Sequence, residues 1–303
     1  MTNTPKVECI WPAQAQLGEG VIWIEREQAL YWVDIIKESL HRYEPATGKQ
    51  QTWQQQPMIS AILPTQIKGE HPTFIATYAD GVKLLRNNIT YPLIDPEPQA
   101  PDNRLNDAWV SPNGDLWLGS MDCAIKQASG QFYRLTPQLK LESLPQKYWV
   151  TNGPTFCANQ HYGYFVDTEN FVILRASISD NGQLDELQPW LEIDRSFGNP
   201  DGITLDAQQH LWVAHYNGAQ VSRYTPEGIL ERQIAIPALN VTKCAFGGPN
   251  LTTLYVVSAR AGMSPQQLNN YPLSGGVFAI ELEDIQGLAT PEFAMSEWPE
   301  GLV

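Results

Sequence analysis

The chain has 303 residues and a formal net charge of −14, from 19 Lys and Arg against 33 Asp and Glu. This balance excludes nucleic acid as a partner, because phosphate binding needs clustered Lys and Arg, and it suits an enzyme that releases an anionic product. A hydrophobic content of 43%, with 10 Trp, 12 Tyr and 9 Phe, supplies a core and excludes disorder. Residues 1–8 are polar and no apolar run reaches the length of a bilayer span, so no membrane partner is expected and the location is expected to be cytoplasmic.

Along the chain one strand recurs six times: LYWV from residue 30, FIAT from 74, LWLG from 116, GYFV from 163, LWVA from 211 and LYVV from 254. The starts lie 42–48 residues apart. Later strands ending in Pro, Gly or Asn turns follow several of these anchors, as in residues 40–49, 133–137, 174–182 and 222–228. Short strands between turns, repeated at this interval, are the pattern of four-stranded propeller blades. The expected fold is therefore all-β, a six-bladed β-propeller with a central metal site, formed as one domain over residues 1–303. The apolar run at residues 277–282 is a candidate for the strand that closes the ring, with its blade left open.

A second register lies ten or eleven residues before the anchors, at Glu19, Asn106, Asn152, Asp201 and Lys243. An apparent insertion at residues 67–70 shifts the second blade, where Ser60 is the candidate for the slot. Equivalent blade positions are related by rotation about the axis, so Glu19, Asn106, Asn152 and Asp201 would converge at one channel mouth as hard oxygen donors. Taken singly, each is also an ordinary turn residue before a strand.

The remaining reactive residues are scattered. Cys9, Cys123, Cys157 and Cys244 show no zinc or disulfide spacing, and Cys157 and Cys244 read as small buried hydrophobes. His41, His71, His161 and His210 sit near polar turns and read as solvated, while His215 is a candidate for the rim of the site. Trp23, Trp32, Trp117 and Trp212 fall within strands and read as packing between blades. Trp109 and Trp149 lie nearer the slots, where either core packing or stacking on a sugar ring is open.

The segments LGEGVIW (17–23), RLNDAWVSPNGDLWLGSMD (104–122), TNGP (151–154), NPDGITLD (199–206), LWVAHYNG (211–218), AFGGPNLTTLYVVSAR (245–260) and SGGVFAI (274–280) occur in an order and spacing that resemble the senescence-marker/regucalcin/gluconolactonase family, which includes the luciferin-regenerating enzyme. The resemblance implies a metal held by Glu19, Asn152 and Asp201, with Arg104 and Asn106 contacting substrate. It also makes Asp122, after the Gly-Ser-Met segment, a candidate substrate contact, although in animal regucalcin the acidic contact lies further along.

The chemistry this implies is hydrolysis of a sugar lactone by one divalent metal ion. Calcium and zinc lead; magnesium, manganese and iron(II) also suit the donors. The ion would polarise the carbonyl or the water, Asp201 would serve as ligand and general base with Glu19 as the alternative base, and Arg104 would hold hydroxyls or the developing oxyanion. Two other functions stay open: a hydrolase of a non-sugar lactone or phosphoester, and a non-enzymatic metal- or protein-binding propeller.

Overall fold

The computed structural model describes residues 5–157 and 161–302. Six antiparallel sheets of four strands each are arranged as a six-bladed β-propeller. All six recurring segments form the second strand of a blade, from Ala29–Asp34 in blade 1 to Thr253–Ala259 in blade 6. The strands before them (Gly18–Ile24, Ala61–Pro64, Asn103–Val110, Thr151–Cys157, Asn199–Leu205 and Asn240–Gly247) contact one another in a closed ring and form the channel wall. Burial follows this order. Gly18–Ile24 is buried throughout, whereas the outermost strand of the same blade, Lys49–Gln54, is polar and largely exposed.

The ring closes through two distant parts of the chain. Val277–Glu281 pairs with Thr253–Ala259 on one side and with Val7–Trp11 on the other, so an N-terminal strand completes blade 6. Neither end can form this blade alone, and the two edges that an open ring would expose are paired. No helix among the described residues is long and apolar enough to cross a membrane.

Aromatic side chains join neighbouring blades. Trp23 stacks on Tyr255 with centroids 5.7 Å apart, and Trp212 meets Phe246 edge-on at the same separation. Trp117 packs against Phe156 and Phe165. A second device repeats within blades 3 and 5: an Asp in the first turn accepts from an Arg two strands away. Asp115 takes the Arg134 Nε at 2.6 Å and Asp206 takes the Arg223 Nε at 2.7 Å, with the Trp212 indole also donating to Asp206 at 2.9 Å. Such pairs tie the inner turns to the third strands, where solvent screening is weak.

Two histidines depart from the sequence reading. His41 is buried rather than solvated, stacked on Trp32 with centroids 3.9 Å apart and hydrogen-bonded to Ser39 and Thr52. His215 is fully buried, bonded to Ser222 Oγ at 2.9 Å, and lies away from the rim. Burial lowers both rings to about 4. As pH falls from 6.5 towards 4, the unfolded chain takes up protons that the folded chain refuses, so each ring withdraws stability over that window. His41→Gln should lower the melting temperature at neutral pH and flatten the acid side of the curve of melting temperature against pH. An unchanged slope would show that His41 does not titrate on unfolding.

Candidate functional site

Five of the six inner strands carry a β-bulge in the same register, at 19/22, 105/108, 152/155, 200/203 and 241/243. A bulge sets two residues against one and turns an extra side chain away from the ladder. Asn106 and Asp201 are set out of the ladder and Glu19, Asn152 and Lys243 border the break, so the polar slots in the sequence coincide with the bulges. Gly20 shows why glycine follows Glu19: its φ is +57°, and a Cβ would lie 2.9 Å from the Ser60 carbonyl oxygen. The inner strand of blade 2 is regular and has no such slot. Ser60 is buried against Thr77 Oγ1 at 2.8 Å and does not line the cavity.

Glu19, Arg104, Asn106, Asn152 and Asp201 line one cavity of about 670 Å³ at the channel mouth. A chain of hydrogen bonds crosses its floor. Arg104 donates to Asn106 Oδ1 at 2.7 Å, and Asn106 donates to Asn152 Oδ1 at 3.0 Å and to the Thr151 carbonyl at 2.7 Å. Asn152 gives its own amide to Thr168 Oγ1 at 2.9 Å, which fixes its oxygen on the cavity side.

Below them lies a contact that the sequence reading missed. Lys243, counted there as one slot among six, reaches from blade 6 across the axis and forms a buried ion pair with Asp107 of blade 3. The other Asp107 oxygen accepts from the Gly153 amide at 3.1 Å. Gly202 makes room for this crossing, since a Cβ there would lie 2.6 Å from Lys243 Cγ. Trp109 faces the Lys243 ammonium at 5.8 Å and, like Trp149, does not line the cavity. The bulge beside Asn106 is what brings Asp107 inward, and consecutive polar residues at positions 106 and 107 were the available signal.

Glu19 and Asp201 differ electrostatically from Asp107. Neither takes part in an ion pair among the described residues. Burial, aided by the neighbouring Asp107, raises the Glu19 carboxyl to about 8. Asp201 is held well above the ordinary carboxylate range, first by burial and then by Glu19 and Asp107. Two desolvated like charges in one pocket require a cation or a proton to relieve them. The donors facing that space are two carboxylates and amide oxygens, and no group of three His, Cys, Asp or Glu side chains among the described residues can hold a metal.

Asp122 is placed differently. It ends the second strand of blade 3, is buried, and gives its oxygens to the amides of Ala124 at 3.0 Å and Lys126 at 2.8 Å. It is not in the cavity wall, where Cys123 and Ile125 of the same loop are found. These backbone bonds hold its carboxyl below the usual range.

Removing one partner of a buried ion pair leaves an uncompensated charge, at a cost of about 3–5 kcal/mol. Lys243→Met should lower stability by that amount in denaturant unfolding, and adding Asp107→Leu should recover part of it. Loss of less than about 1 kcal/mol in the single variant would show that the pair does not support the channel.

Residues 17–260 match the family model described as the SMP-30/gluconolactonase/LRE-like region. The chain is 32% identical to the 6-deoxy-6-sulfogluconolactonase of Pseudomonas putida, over 95% of this chain and 98% of that protein. It is 28% identical to regucalcin of Macaca fascicularis, with 95% and 98% covered. Among solved structures, luciferin-regenerating enzyme superposes with a TM-score of 0.89 at 25% identity, covering 96% of this chain and 99% of that one. By its six blades, its bulged polar ring and these similarities, the chain belongs to the SMP-30/gluconolactonase/LRE-like family.

Proposed function

We propose that this protein hydrolyses a sugar lactone, with one divalent cation held by Glu19, Asn152 and Asp201. The observation that carries the reading is the pair of buried carboxyls, Glu19 and Asp201, which form no ion pair among the described residues and lie beside the Arg104–Asn106–Asn152 hydrogen-bond chain. The donor set fits a hard cation: every candidate ligand atom is an oxygen, and the carboxylates supply two negative charges. This favours calcium, magnesium or manganese over zinc, whose sites are usually built from His and Cys. When bound, the ion supplies electrophilic polarisation of the lactone carbonyl.

The side chains account for the remaining steps. Asp201 accepts a proton from the water that attacks the carbonyl carbon, and returns it to the ring oxygen as the acyl C–O bond breaks. Water is consumed, the ring opens, and the product is a hydroxy acid that leaves as its carboxylate. Arg104, whose guanidinium is buried, offers charge-assisted hydrogen bonds to ring hydroxyls and to the oxyanion. Asn106 holds Arg104 in place and presents the Asn152 oxygen to the ligand position. The gluconolactonase named in the family and the sulfogluconolactonase relative support the reaction class.

The test is acid release from a panel of aldonolactones by chelated enzyme and by enzyme restored with each cation, with cation binding followed separately by calorimetry. Chelation should abolish turnover, and Asp201→Asn should lower kcat by about 10²–10⁴-fold. Glu19→Gln should weaken cation binding. A folded, cation-loaded protein that opens no lactone faster than buffer does would refute the reading.

A further inference from the structure

We propose that Asn240 and Gln267, both from blade 6, are specificity residues that read hydroxyl groups of the lactone, Asn240 as hydrogen-bond acceptor and Gln267 as donor. This rests on the lactonase reading of the cavity and deepens it.

Both residues line the cavity, and neither belongs to the hydrogen-bond chain across its floor. Asn240 opens the inner strand of blade 6, and Gln267 sits in a short helix, Pro265–Asn270, in the loop that follows the second strand. That loop is a fixed platform. The Arg260 Nε donates to the Ser274 carbonyl at 2.8 Å and ties its two ends together, and the Ala261 amide donates to the Gln16 carbonyl at 2.8 Å. The Ala261 carbonyl accepts from the Tyr216 hydroxyl of blade 5 at 2.9 Å. Gln267 is thus carried by a loop bonded both to blade 5 and to the segment leading into blade 1.

A carboxamide carries an acceptor oxygen and a donor nitrogen, and its neighbours decide which is left for a ligand. Ser264 caps the short helix, and its backbone amide donates to Gln267 Oε1 at 2.8 Å. A backbone N–H can meet only the oxygen, so that oxygen is spent and the Nε2 donors have no partner among the described residues. The Gln267 amide bonds back to Ser264 Oγ at 3.3 Å and completes a capping box, which holds the side chain in this pose. Asn240 is set the opposite way. Its Nδ2 donates to the Ala261 carbonyl at 3.1 Å, which leaves Oδ1 as the unspent atom. Asn240 is only 3% exposed, so this acceptor is a buried polar group in the cavity wall, where a ligand or solvent entering the cavity satisfies it.

A hydroxyl both donates and accepts, so a wall that offers a fixed acceptor and a fixed donor matches hydroxyl groups. A carbonyl oxygen would use the Gln267 donors and leave Asn240 Oδ1 unpaired, and an apolar substituent would leave both unpaired. The Tyr216 hydroxyl does not replace Gln267 as donor, since its hydrogen is spent on Ala261. Discrimination follows from the asymmetry of hydrogen bonding: depriving a buried polar group of its partner costs more than making the bond gains.

The test compares glucono-δ-lactone with those of its monodeoxy analogues that keep the ring. The unaltered protein should lose about tenfold in kcat/KM on at least one analogue. Gln267→Met and Asn240→Leu should each shrink such a penalty to below about threefold, because the partner of the missing hydroxyl is gone. Ser264→Ala breaks the other half of the capping box without touching the cavity wall, and should keep every penalty. Equal rates on all analogues, or penalties that survive in both cavity variants, would overturn the inference and leave the lactonase reading standing. So would a Ser264→Ala protein that loses the same penalty as Gln267→Met, since loop order and not the Nε2 donor would then set it. Should no lactone of the set be opened, the lactonase reading fails. The hydroxyl assignment is then decided by calorimetry with the corresponding lactams: a deoxy penalty in affinity that Gln267→Met or Asn240→Leu erases supports it, and equal affinities or no binding overturn it.

Discussion

The buried ion pair between Lys243 and Asp107 is the contact on which the centre of this molecule depends. Six inner strands around one axis leave a channel that hydrophobic side chains do not fill, because five of the strands bulge there and turn polar residues inward. Lys243 spans from blade 6 to blade 3, where its ammonium meets Asp107 out of solvent. Its charge is matched by Asp107, so Lys243 and Arg104 only partly offset the burial of the two carboxyls above, neither of which forms an ion pair among the described residues. The same pair thus ties two blades across the axis and leaves the two carboxyls above it with a raised affinity for a proton or a cation.

That separation gives the site its chemical character. A carboxylate that is buried, hydrogen-bonded and ion-paired is inert. Glu19 and Asp201 are buried without such a partner, and neighbouring carboxylates raise the proton affinity of each beyond what burial does. A divalent cation would reverse the sign of this effect. The polar groups beside the two carboxyls are held by the hydrogen-bond chain from Arg104 to Thr168, whose members are each fixed by the next.

The loops above the floor show a division of labour between blades. Acidic residues that end second strands, Asp34 in blade 1 and Asp122 in blade 3, bond to the backbone amides of the following turns. They place neighbouring apolar side chains at the mouth and do not reach the cavity themselves. The cavity wall is therefore built by two different structures, the bulged inner strands and the loops at the ends of second strands. Loops can change without disturbing the floor.

Repetition makes much of this architecture legible in the amino-acid sequence. A strand recurring every 42–48 residues specifies six blades, because each blade must bury both faces against its neighbours. Counting back from those anchors reaches Glu19, Asn106, Asn152 and Asp201, since rotation about an axis converts equal spacing into convergence. The sequence could not show that Val7–Trp11 completes blade 6, that His41 is buried under Trp32, or that Asp122 faces the backbone of its own loop and not the cavity. Nor could it pair Lys243 with Asp107, 136 residues apart. Spacing along a chain records which residues occupy equivalent places in a repeat. Which way a bulge turns a side chain, and what meets it across the axis, depends on packing between blades, and only the tertiary structure decided that.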